Sequence, residues 1–432
     1  MTDTVGHEIY EFATKIRDFP RSITGKGVRQ TLQAIKSVIP NLNIVEVPTG
    51  TLAFDWEVPM EWEVQEAYVI TPKGERILDF FENNLHLIGY SSNFKGKLNL
   101  TELQKHLHSI PDLPNAIPYV TSYYKEDWGF CLSQEDRDLL EDGEYFINVQ
   151  TRKFRGSLTY GELIITGNTS SEIFFSTYIC HPVMANNELS GPSLMTFISK
   201  FIETLSNRRY TYRIVFIPET IGSITYLSKH LLHLKKYVCA GFNITCIGDN
   251  RAYSFLPSRL GNTLSDNVAR HILKFTVGEY TEYDWRQRGS DERQYCSPGV
   301  DLPIASIMRS KYGTYPEYHT SLDNLGSVVT PEGLNGGFEV IKSIIKALEN
   351  NYYVKYATLC EPAMSKRNLY PALSTRYMNY DHRKLLDLLY WADGGHTLLD
   401  IANLMNTPIS DIIHLASVLL DNSLILISEQ AF

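Results

Sequence analysis

Imidazole and carboxylate side chains recur in three segments of the middle of this chain. His181 and Glu219 each come two or three residues after an apolar run rich in β-branched and aromatic residues. The third segment carries Asp291 and, farther along, His319. These are the ligand types that zinc prefers in proteins. A single His after a strand is more often structural, and a single Glu is more often a helix cap. The prediction of a metal site therefore rests on the combination.

The apolar runs predict the elements that position these side chains. Leu163–Ile165, Ile173–Tyr178 and Arg213–Ile217 have the composition of buried strands. A predicted helix lies between the second and third runs and carries apolar residues at helical spacing: Leu194, Phe197, Ile198, Phe201, Ile202 and Leu205. Strand–helix–strand is the unit of a parallel sheet, and α/β sheets bind ligands at the carboxyl ends of their strands. Further strands are predicted at Val238–Ile244 and Pro303–Met308, with a helix at Pro331–Asn350.

The regions before and after these segments have different patterns of apolar and polar residues. Residues 1–40 predict two helices around a Gly/Ser-bearing turn. Short apolar runs between 43 and 125, at Ile44–Val47, Ala67–Ile70 and His86–Tyr90, predict a small β-rich module. A linker with two prolines, Cys360–Pro371, precedes helix–turn–helix periodicity and a terminal Leu424-Ile-Leu-Ile segment, which together are typical of a winged helix.

Composition excludes several functional classes. The 432 residues carry 40 Lys and Arg against 49 Asp and Glu, a net charge of -9, which argues against a general nucleic-acid binder. No secretory signal and no run of 18 apolar residues is found. The six Cys residues form no CxxC pair, so we expect free thiols and a cytoplasmic location.

Four motifs together resemble a known family. They are His-Pro-x-x-Ala-Asn-Asn-Glu-Leu-Ser-Gly from residue 181, Pro-Glu-Thr-Ile-Gly from 218, Ser-Asp-Glu-Arg-Gln-Tyr from 290 and Tyr-His-Thr-Ser-x-Asp from 318. The chain resembles the aminopeptidase-like domain family, a bacterial group related to the M28 zinc exopeptidases. The resemblance covers nearly the whole chain. The motifs are specific for the aminopeptidase-like domain family, whereas they match the pattern of the M28 peptidases only in part.

The resemblance implies an α/β fold: a zinc-exopeptidase-like mixed sheet flanked by helices, with a β-rich insert and a C-terminal winged-helix domain. The expected ranges are 1–42 with 126–360 for the peptidase-like domain, 43–125 for the insert and 367–432 for the winged helix. It also implies a link to surface-polysaccharide biosynthesis, with an amide on a modified sugar as one conceivable substrate.

The metal ligands of M28 peptidases carry over only in part. The first His corresponds to His181, the Asp of the Ser-Asp motif to Asp291 and the final His to His319. The bridging Asp falls on Asn187, beside Glu188. Because a bridge between two dications should be anionic, we expect one zinc ion rather than two.

Two further M28 acids are also replaced. The second Glu of the M28 pair falls on Thr220, and an Asp that follows the first His falls on Val183. The expected metal ligands are His181, Glu188, Asp291 and His319, and spacing leaves open whether Asn187 or Glu188 faces the metal.

The expected activity is a zinc-dependent hydrolysis of peptide or amide bonds. Zinc would activate a water molecule, and Glu219, the first Glu of the M28 pair, would act as general base. Arg293 or Arg309 could hold a substrate carboxylate, although a surface salt bridge is at least as common a role for either. Tyr318 or Tyr315 could donate to the oxyanion.

The substrate expected for such a site is a small peptide or an amino-acyl conjugate. The alternatives are a degenerate ligand-binding protein that keeps the fold, which Asn187 and Thr220 favour, and a transcription regulator. DNA binding is not favoured because Pro408–Leu419, the expected recognition helix, lacks Lys and Arg. A homo-oligomer stays open, and no membrane association is expected.

Overall fold

The computed structural model describes residues 5–123, 125–369 and 380–431. Residues 1–4, 124, 370–379 and 432 of the predicted domains and linker lie outside the described residues. The chain divides into two compact units, Met1–Ser265 with Thr281–Glu339, and Asp266–Tyr280 with Val340–Phe432.

The helices of the described residues are α1 (Val5–Ile16), α2 (Lys26–Val38), α3 (Leu100–Leu103), α4 (Gln134–Asp138), α5 (Ser190–Thr204), α6 (Ile221–Tyr237), α7 (Leu264–Thr276), α8 (Glu292–Tyr295), α9 (Pro331–Glu349), α10 (Tyr380–Trp391), α11 (Leu398–Leu404) and α12 (Ile409–Asp421). The two predicted N-terminal helices and the predicted helix from Pro331 are confirmed.

The strands are β1 (Asn43–Pro48), β2 (Leu52–Ala53), β3 (Trp56–Glu57), β4 (Glu61–Ile70), β5 (Arg76–Ile77), β6 (Phe94–Asn99), β7 (Leu107–His108), β8 (Phe130–Cys131), β9 (Glu144–Phe154), β10 (Ser157–Ile165), β11 (Glu172–Tyr178), β12 (Thr211–Ile217), β13 (Val238–Ile244), β14 (Ser254–Leu256), β15 (Thr281–Glu282), β16 (Ile304–Met308), β17 (Tyr353–Tyr356), β18 (Asp393–Thr397) and β19 (Ile425–Ser428).

A mixed sheet forms the centre of the first unit. Its strand order is β1-β10-β12-β11-β13-β16-β14-β15. The four strands β12, β11, β13 and β16 are parallel. Strands β1 and β10 pair antiparallel with their neighbours, whereas β14 pairs antiparallel with β16 and parallel with β15. Every residue of β11 and β12 is buried, as expected for strands covered on both faces. The predicted α/β class with a mixed sheet is confirmed.

Helix α5 connects β11 to β12, and its burial explains the apolar spacing in the sequence. Leu194, Ile198 and Ile202 are buried on it. The helix follows directly on a π-helical turn at Ala185–Leu189 whose five residues are all buried. Because the turn leads from the end of β11 into α5, the packing of this helix also fixes the segment after His181.

A second, four-stranded sheet has the order β5-β4-β9-β6. One of its strands, β4, includes the apolar run Ala67–Ile70 of the predicted β-rich module. Another strand, β9, comes after residues 43–125, the range expected for the inserted domain. Conversely, β1 lies inside that range and pairs with β10 of the central sheet. The exact range of the insert stays a prediction.

The apolar run at His86–Tyr90 forms isolated β-bridges, from Leu87 to Phe130 and from Gly89 to Thr121, rather than a strand of a sheet. A 3₁₀ turn occupies Asn84–His86, and the side chain of Asn83 caps it by accepting a hydrogen bond from the backbone N–H of Leu85. Tyr90 then has a positive φ of 66°. The capped turn and the left-handed residue limit the extended backbone to the few residues between them.

The second unit contains a winged helix, as predicted. Helices α10, α11 and α12 accompany a three-stranded sheet of order β18-β17-β19. Strand β17 pairs with both β18 and β19 and lies before residue 367, where we expect the domain to begin. Among the described residues, no helix combines the length and apolar composition needed to cross a membrane.

We expect Gly191→Ala to destabilise the protein. A Cβ atom at Gly191 would meet the Thr177 hydroxyl and would lie 2.7 Å from the carbonyl oxygen of Ile244, which is backbone and cannot move away cheaply. The free energy of unfolding should fall by about 1–3 kcal/mol, which would lower the midpoint of thermal unfolding. Ser193→Ala, on the same helix, is the control: the Ser193 hydroxyl is buried without a hydrogen-bond partner among the described residues, so its removal should not lower the midpoint. An unchanged midpoint for Gly191→Ala would contradict the packing argument.

Candidate active site

His181 presents its two ring nitrogens to two different carboxylates. Nδ1 lies 3.1 Å from Oε2 of Glu188, which also accepts a 3.0 Å hydrogen bond from the backbone N–H of His181. Nε2 lies 3.7 Å from Oε2 of Glu219. Histidines that bind metal through one nitrogen commonly donate from the other to a carboxylate. The arrangement therefore presents Nε2 on the Glu219 side and holds the ring from the Glu188 side.

Arg21 supports this pair from the turn between α1 and α2. Its Nε donates a 2.9 Å hydrogen bond to the carbonyl of His181 and lies 3.4 Å from Oε1 of Glu188. Its Nη1 donates to the carbonyl of Ile16 at 2.6 Å. Arg21 is only 3% exposed, so it acts as an internal counter-ion. No sequence motif predicts this contact of Arg21, although the polar turn that contains it lies between two predicted helices.

Glu188 lies on the Nδ1 side of the imidazole, together with Cys180. Among the described residues, Cys180, His181 and Glu188 are the group whose potential ligand atoms all lie within 4.8 Å of one another. A cation between them is disfavoured because the Arg21 guanidinium already adjoins Glu188. Burial raises the pKa of Glu188 to about 8, with Arg21 opposing this effect. This geometry fits a carboxyl group that orients His181 better than the metal ligand we expected.

The two predicted histidines lie together. The ring centroids of His181 and His319 are 5.5 Å apart. Burial, and to a smaller extent the charge of Arg21, lowers the pKa of His181 to about 3. Burial, and to a smaller extent the neighbouring His181, lowers the pKa of His319 to about 3. Both imidazoles are therefore neutral near pH 7, which is the form that binds metal ions.

Glu219 lies just past the end of β12. Its backbone N–H donates to Sγ of Cys180 at 3.2 Å, and its side chain stays 21% exposed. Burial and, to a smaller extent, the neighbouring Asp291 raise the pKa of Glu219 to about 8, against the opposing effects of Ser290 and Arg293. A carboxyl group that titrates near neutral pH and remains reachable by water is suited to proton transfer.

Asp291 has one oxygen engaged and one without a partner. Oδ1 accepts hydrogen bonds of 2.7 Å from the backbone N–H of Thr220 and from the Ser223 hydroxyl. Oδ2 is buried and has no hydrogen-bond partner among the described residues. Burial raises the pKa of this carboxyl to about 6. A buried carboxylate oxygen without a donor is costly unless a cation or a proton satisfies it, so Asp291 fits a metal ligand.

Tyr119, which no motif in the sequence predicts as a site residue, packs against both histidines. Its ring centroid is 5.3 Å from that of His181 and 5.3 Å from that of His319. Two hydrogen bonds hold residues 117–119 beside residues 319–321: the N–H of Tyr119 donates to the carbonyl of His319, and the N–H of Ser321 to the carbonyl of Ile117, both at 2.9 Å. Nothing in the local sequence around Tyr119 indicates this long-range pairing.

Asn187 stands where a bridging acid was expected. Its Oδ1 accepts a 3.1 Å hydrogen bond from the Tyr178 hydroxyl, and its Nδ2 is buried without a hydrogen-bond partner among the described residues. Its backbone N–H donates to Oδ2 of Asp323 at 2.9 Å. An amide with its oxygen already engaged supplies no anionic bridge. The donor set therefore fits one cation better than two.

The remaining predicted residues separate into two groups. Arg309 donates to the carbonyls of Ala252 and Gly333 and to Oδ1 of Asn250, so its guanidinium is engaged in holding loops. Arg293 is exposed and makes a 2.7 Å hydrogen bond to the Thr220 hydroxyl. Of the two, Arg293 is the better placed for a substrate.

The two tyrosines also differ. The Tyr318 ring stacks on that of His319 at a centroid distance of 3.9 Å. Tyr315 donates to Oδ2 of Asp323 at 3.0 Å, so its hydroxyl proton is already engaged. The role of Tyr318 as an oxyanion donor stays a prediction.

Comparisons with known proteins agree with this architecture. A family model described as a domain of unknown function, DUF4910, matches residues 10–351. A winged helix-turn-helix model matches residues 351–427. A protein of Clostridium acetobutylicum, provisionally named a polysaccharide biosynthesis protein with an aminopeptidase-like domain, is 42% identical over 400 residues, which are 92% of this chain and 91% of the relative.

Solved structures give the same result. The crystal structure of a provisionally assigned peptidase from Clostridium acetobutylicum is 40% identical, with a TM-score of 0.92, and the match covers 98% of this chain and 97% of that one. A zinc aminopeptidase from Bacillus subtilis has a TM-score of 0.57 at 13% identity, over 79% of this chain and 94% of that one. At that identity the similarity shows the fold alone.

We expect Glu188→Gln to weaken zinc binding without abolishing it. The amide is never negatively charged and places an NH₂ group where one carboxyl oxygen lay, so the His181 ring is held less firmly and the dissociation constant of zinc should rise about 10- to 100-fold. Chelator competition measures the affinity, and elemental analysis at saturating zinc measures the stoichiometry. Glu63→Gln, which alters a surface pair with Arg152, is the control and should change neither. Loss of stoichiometric zinc from Glu188→Gln even at saturation would identify Glu188 as a ligand instead.

Proposed function

Because the chain belongs to the DUF4910 family of proteins with an aminopeptidase-like fold, we propose that it is a metal-dependent hydrolase of peptide or amide bonds. The single observation that carries this proposal is the arrangement around His181. A neutral imidazole nitrogen faces a part-exposed Glu219, with a second imidazole 5.5 Å away between ring centroids. Buried, desolvated titratable groups gathered at the carboxyl ends of parallel strands are typical of active sites.

The proposed ligands of one zinc ion are His181 through Nε2, Asp291 through Oδ2, and His319. When bound there, zinc would supply a Lewis acid that polarises a substrate carbonyl and lowers the pKa of water. Support comes from the neutral imidazoles and from the carboxylate oxygen of Asp291 that lacks a donor. A second ion is not proposed because Asn187 and Thr220 carry no charge.

Each protein group then has a defined task. Glu219 takes a proton from the attacking water and delivers it to the departing amine, for which a pKa raised by burial is favourable. Glu188 and Arg21 hold His181 in one orientation. Tyr119 covers both imidazoles and limits the entry of water from its side.

The proposed substrate is a small peptide or an amino-acyl conjugate. The Clostridium acetobutylicum relative carries polysaccharide biosynthesis in its name. We therefore extend the proposal to a role in surface-polysaccharide biosynthesis, in which the amide would sit on a modified sugar. The expected cytoplasmic location belongs to this proposal as well.

A second candidate is a ligand-binding protein that keeps the fold without turnover. The neutral residues Asn187 and Thr220 favour it, because they reduce the negative charge available for metal ions. The two candidates differ in metal content, since the hydrolase needs near-stoichiometric zinc in protein purified without chelator.

We expect Glu219→Gln to abolish most of the hydrolysis while zinc stays bound. The amide cannot accept the proton of water, so kcat should fall about 10²- to 10⁴-fold on any amide substrate that the wild-type protein cleaves. Elemental analysis checks that zinc is retained, and a kinetic assay checks the loss of activity.

His181→Ala provides the comparison because it should lose zinc and activity together. A Glu219→Gln variant that binds zinc and hydrolyses normally would refute the assignment of the base. Wild-type protein that takes up no zinc at all would favour the ligand-binding alternative.

A further inference from the structure

Arg293 is an exposed cation beside the base. Its Nη2 donates a 2.7 Å hydrogen bond to the hydroxyl of Thr220, the residue directly after Glu219. Among the described residues, the Arg293 guanidinium has no carboxylate ion-pair partner. One of its five N–H groups is thus engaged, and the others can take an external ligand.

Other arginines of this unit are used differently. Arg21 is occupied by backbone carbonyls and Glu188, and Arg309 by backbone carbonyls and Asn250. Arg251 makes two hydrogen bonds of 2.8 and 2.9 Å to Glu317. Arg293 differs from these three because its guanidinium is anchored by a hydroxyl and, among the described residues, has no carboxylate within ion-pair distance, although Glu219 and Asp291 lie close enough for their pKa values to be lowered by it.

The anchor of Arg293 is held in an uncommon backbone conformation. Thr220 has φ 64° and ψ -78°, which is strained for a β-branched residue. Its backbone N–H donates to Oδ1 of Asp291 at 2.7 Å, while its hydroxyl accepts from Arg293. Strain of this kind persists where the surroundings over-determine it, often at binding sites. Thr220 therefore links the position of the guanidinium to that of a predicted metal ligand.

The acids around the site offer little to a substrate amino group. Glu188 faces His181 and Arg21, and Asp323 accepts from two backbone N–H groups and Tyr315. Glu292 is buried and accepts from five donors: the N–H groups of Gly289 and Ser290, the hydroxyls of Tyr312 and Ser306, and the amide of Asn243. Recognition of a free α-ammonium group needs an available carboxylate at the rim, and these three are committed elsewhere.

We propose that Arg293 binds a free carboxylate on the substrate, so that the enzyme cleaves the amide next to a carboxyl-terminal amino acid rather than next to a free amino terminus. This inference rests on the proposed function. The class of substrate is an acylated amino acid or an acyl-peptide with a free carboxylate. Water adds to the acyl carbon, the C–N bond breaks, and the nitrogen leaves with the proton that Glu219 carried, giving a carboxylic acid and a free amino acid.

Hydrolysis of a library of N-acyl dipeptides tests the proposal when each member is supplied as the free carboxylate and as the carboxamide. The wild-type protein should prefer the carboxylate form in kcat/KM by about 10- to 100-fold, the range expected for a hydrogen-bonded charge. Arg293→Gln should remove the preference, and Arg293→Lys should keep part of it. Arg286→Gln changes an exposed arginine paired with Asp284 and should leave the preference unchanged.

The anchor can be tested separately. Thr220→Val removes the hydroxyl that holds Arg293 and should weaken the preference, whereas Thr220→Ser keeps the hydroxyl and should preserve it. Equal hydrolysis of both forms by the wild-type protein, or faster hydrolysis of dipeptide amides with a free amino terminus, would overturn the carboxylate proposal and leave the hydrolase proposal standing.

A binding measurement separates the two proposals if no amide is hydrolysed. Calorimetry of the protein with N-acetyl amino acids should show binding that Arg293→Gln weakens about tenfold or more. Such binding without turnover would support carboxylate recognition while refuting the hydrolase. Absence of binding, or tighter binding of inorganic phosphate than of any N-acetyl amino acid, would overturn the inference.

Discussion

The contact between Nδ1 of His181 and Glu188 is the interaction on which the arrangement of the candidate active site depends. It assigns one ring nitrogen to the protein interior and leaves the other facing Glu219. Glu188 can do this because the π-helical turn after β11 folds it back onto the backbone N–H of His181, and because Arg21 lies beside it. A buried carboxyl without that guanidinium would be harder to keep at this position.

The charge pattern of the site differs from that of a site with two metal ions. Asn187 and Thr220 are neutral where two acids would be needed, and Arg293 adds an exposed positive charge held by the Thr220 hydroxyl. These features are consistent with one another: fewer anions hold fewer cations, and a fixed guanidinium supplies positive charge next to the base.

The sequence predicts the parts of this structure that depend on local pattern. Continuous apolar runs such as those in β11 and β12 predict buried parallel strands, and the residues just after them, His181 and Glu219, are predicted at the shared edge of the sheet. Spacing alone could not decide which nitrogen of His181 faces Glu188, because that depends on the π-helical turn. Arg21 and Tyr119 were missed because they reach the site from segments about 160 and 60 residues earlier, through tertiary contacts that leave no local periodicity. The apolar run at His86–Tyr90 makes isolated bridges rather than a full strand because a capped turn precedes it and a left-handed residue ends it.

Tyr119 reaches the histidines from a stretch of chain that is separate from the central sheet and is held to residues 319–321 by a short ladder of backbone hydrogen bonds. One side of the two imidazoles is thus covered by a part of the protein that contributes nothing to the sheet itself. Replacing that stretch by one of another length would change what covers the imidazoles while the side chains positioned by the sheet stay in place.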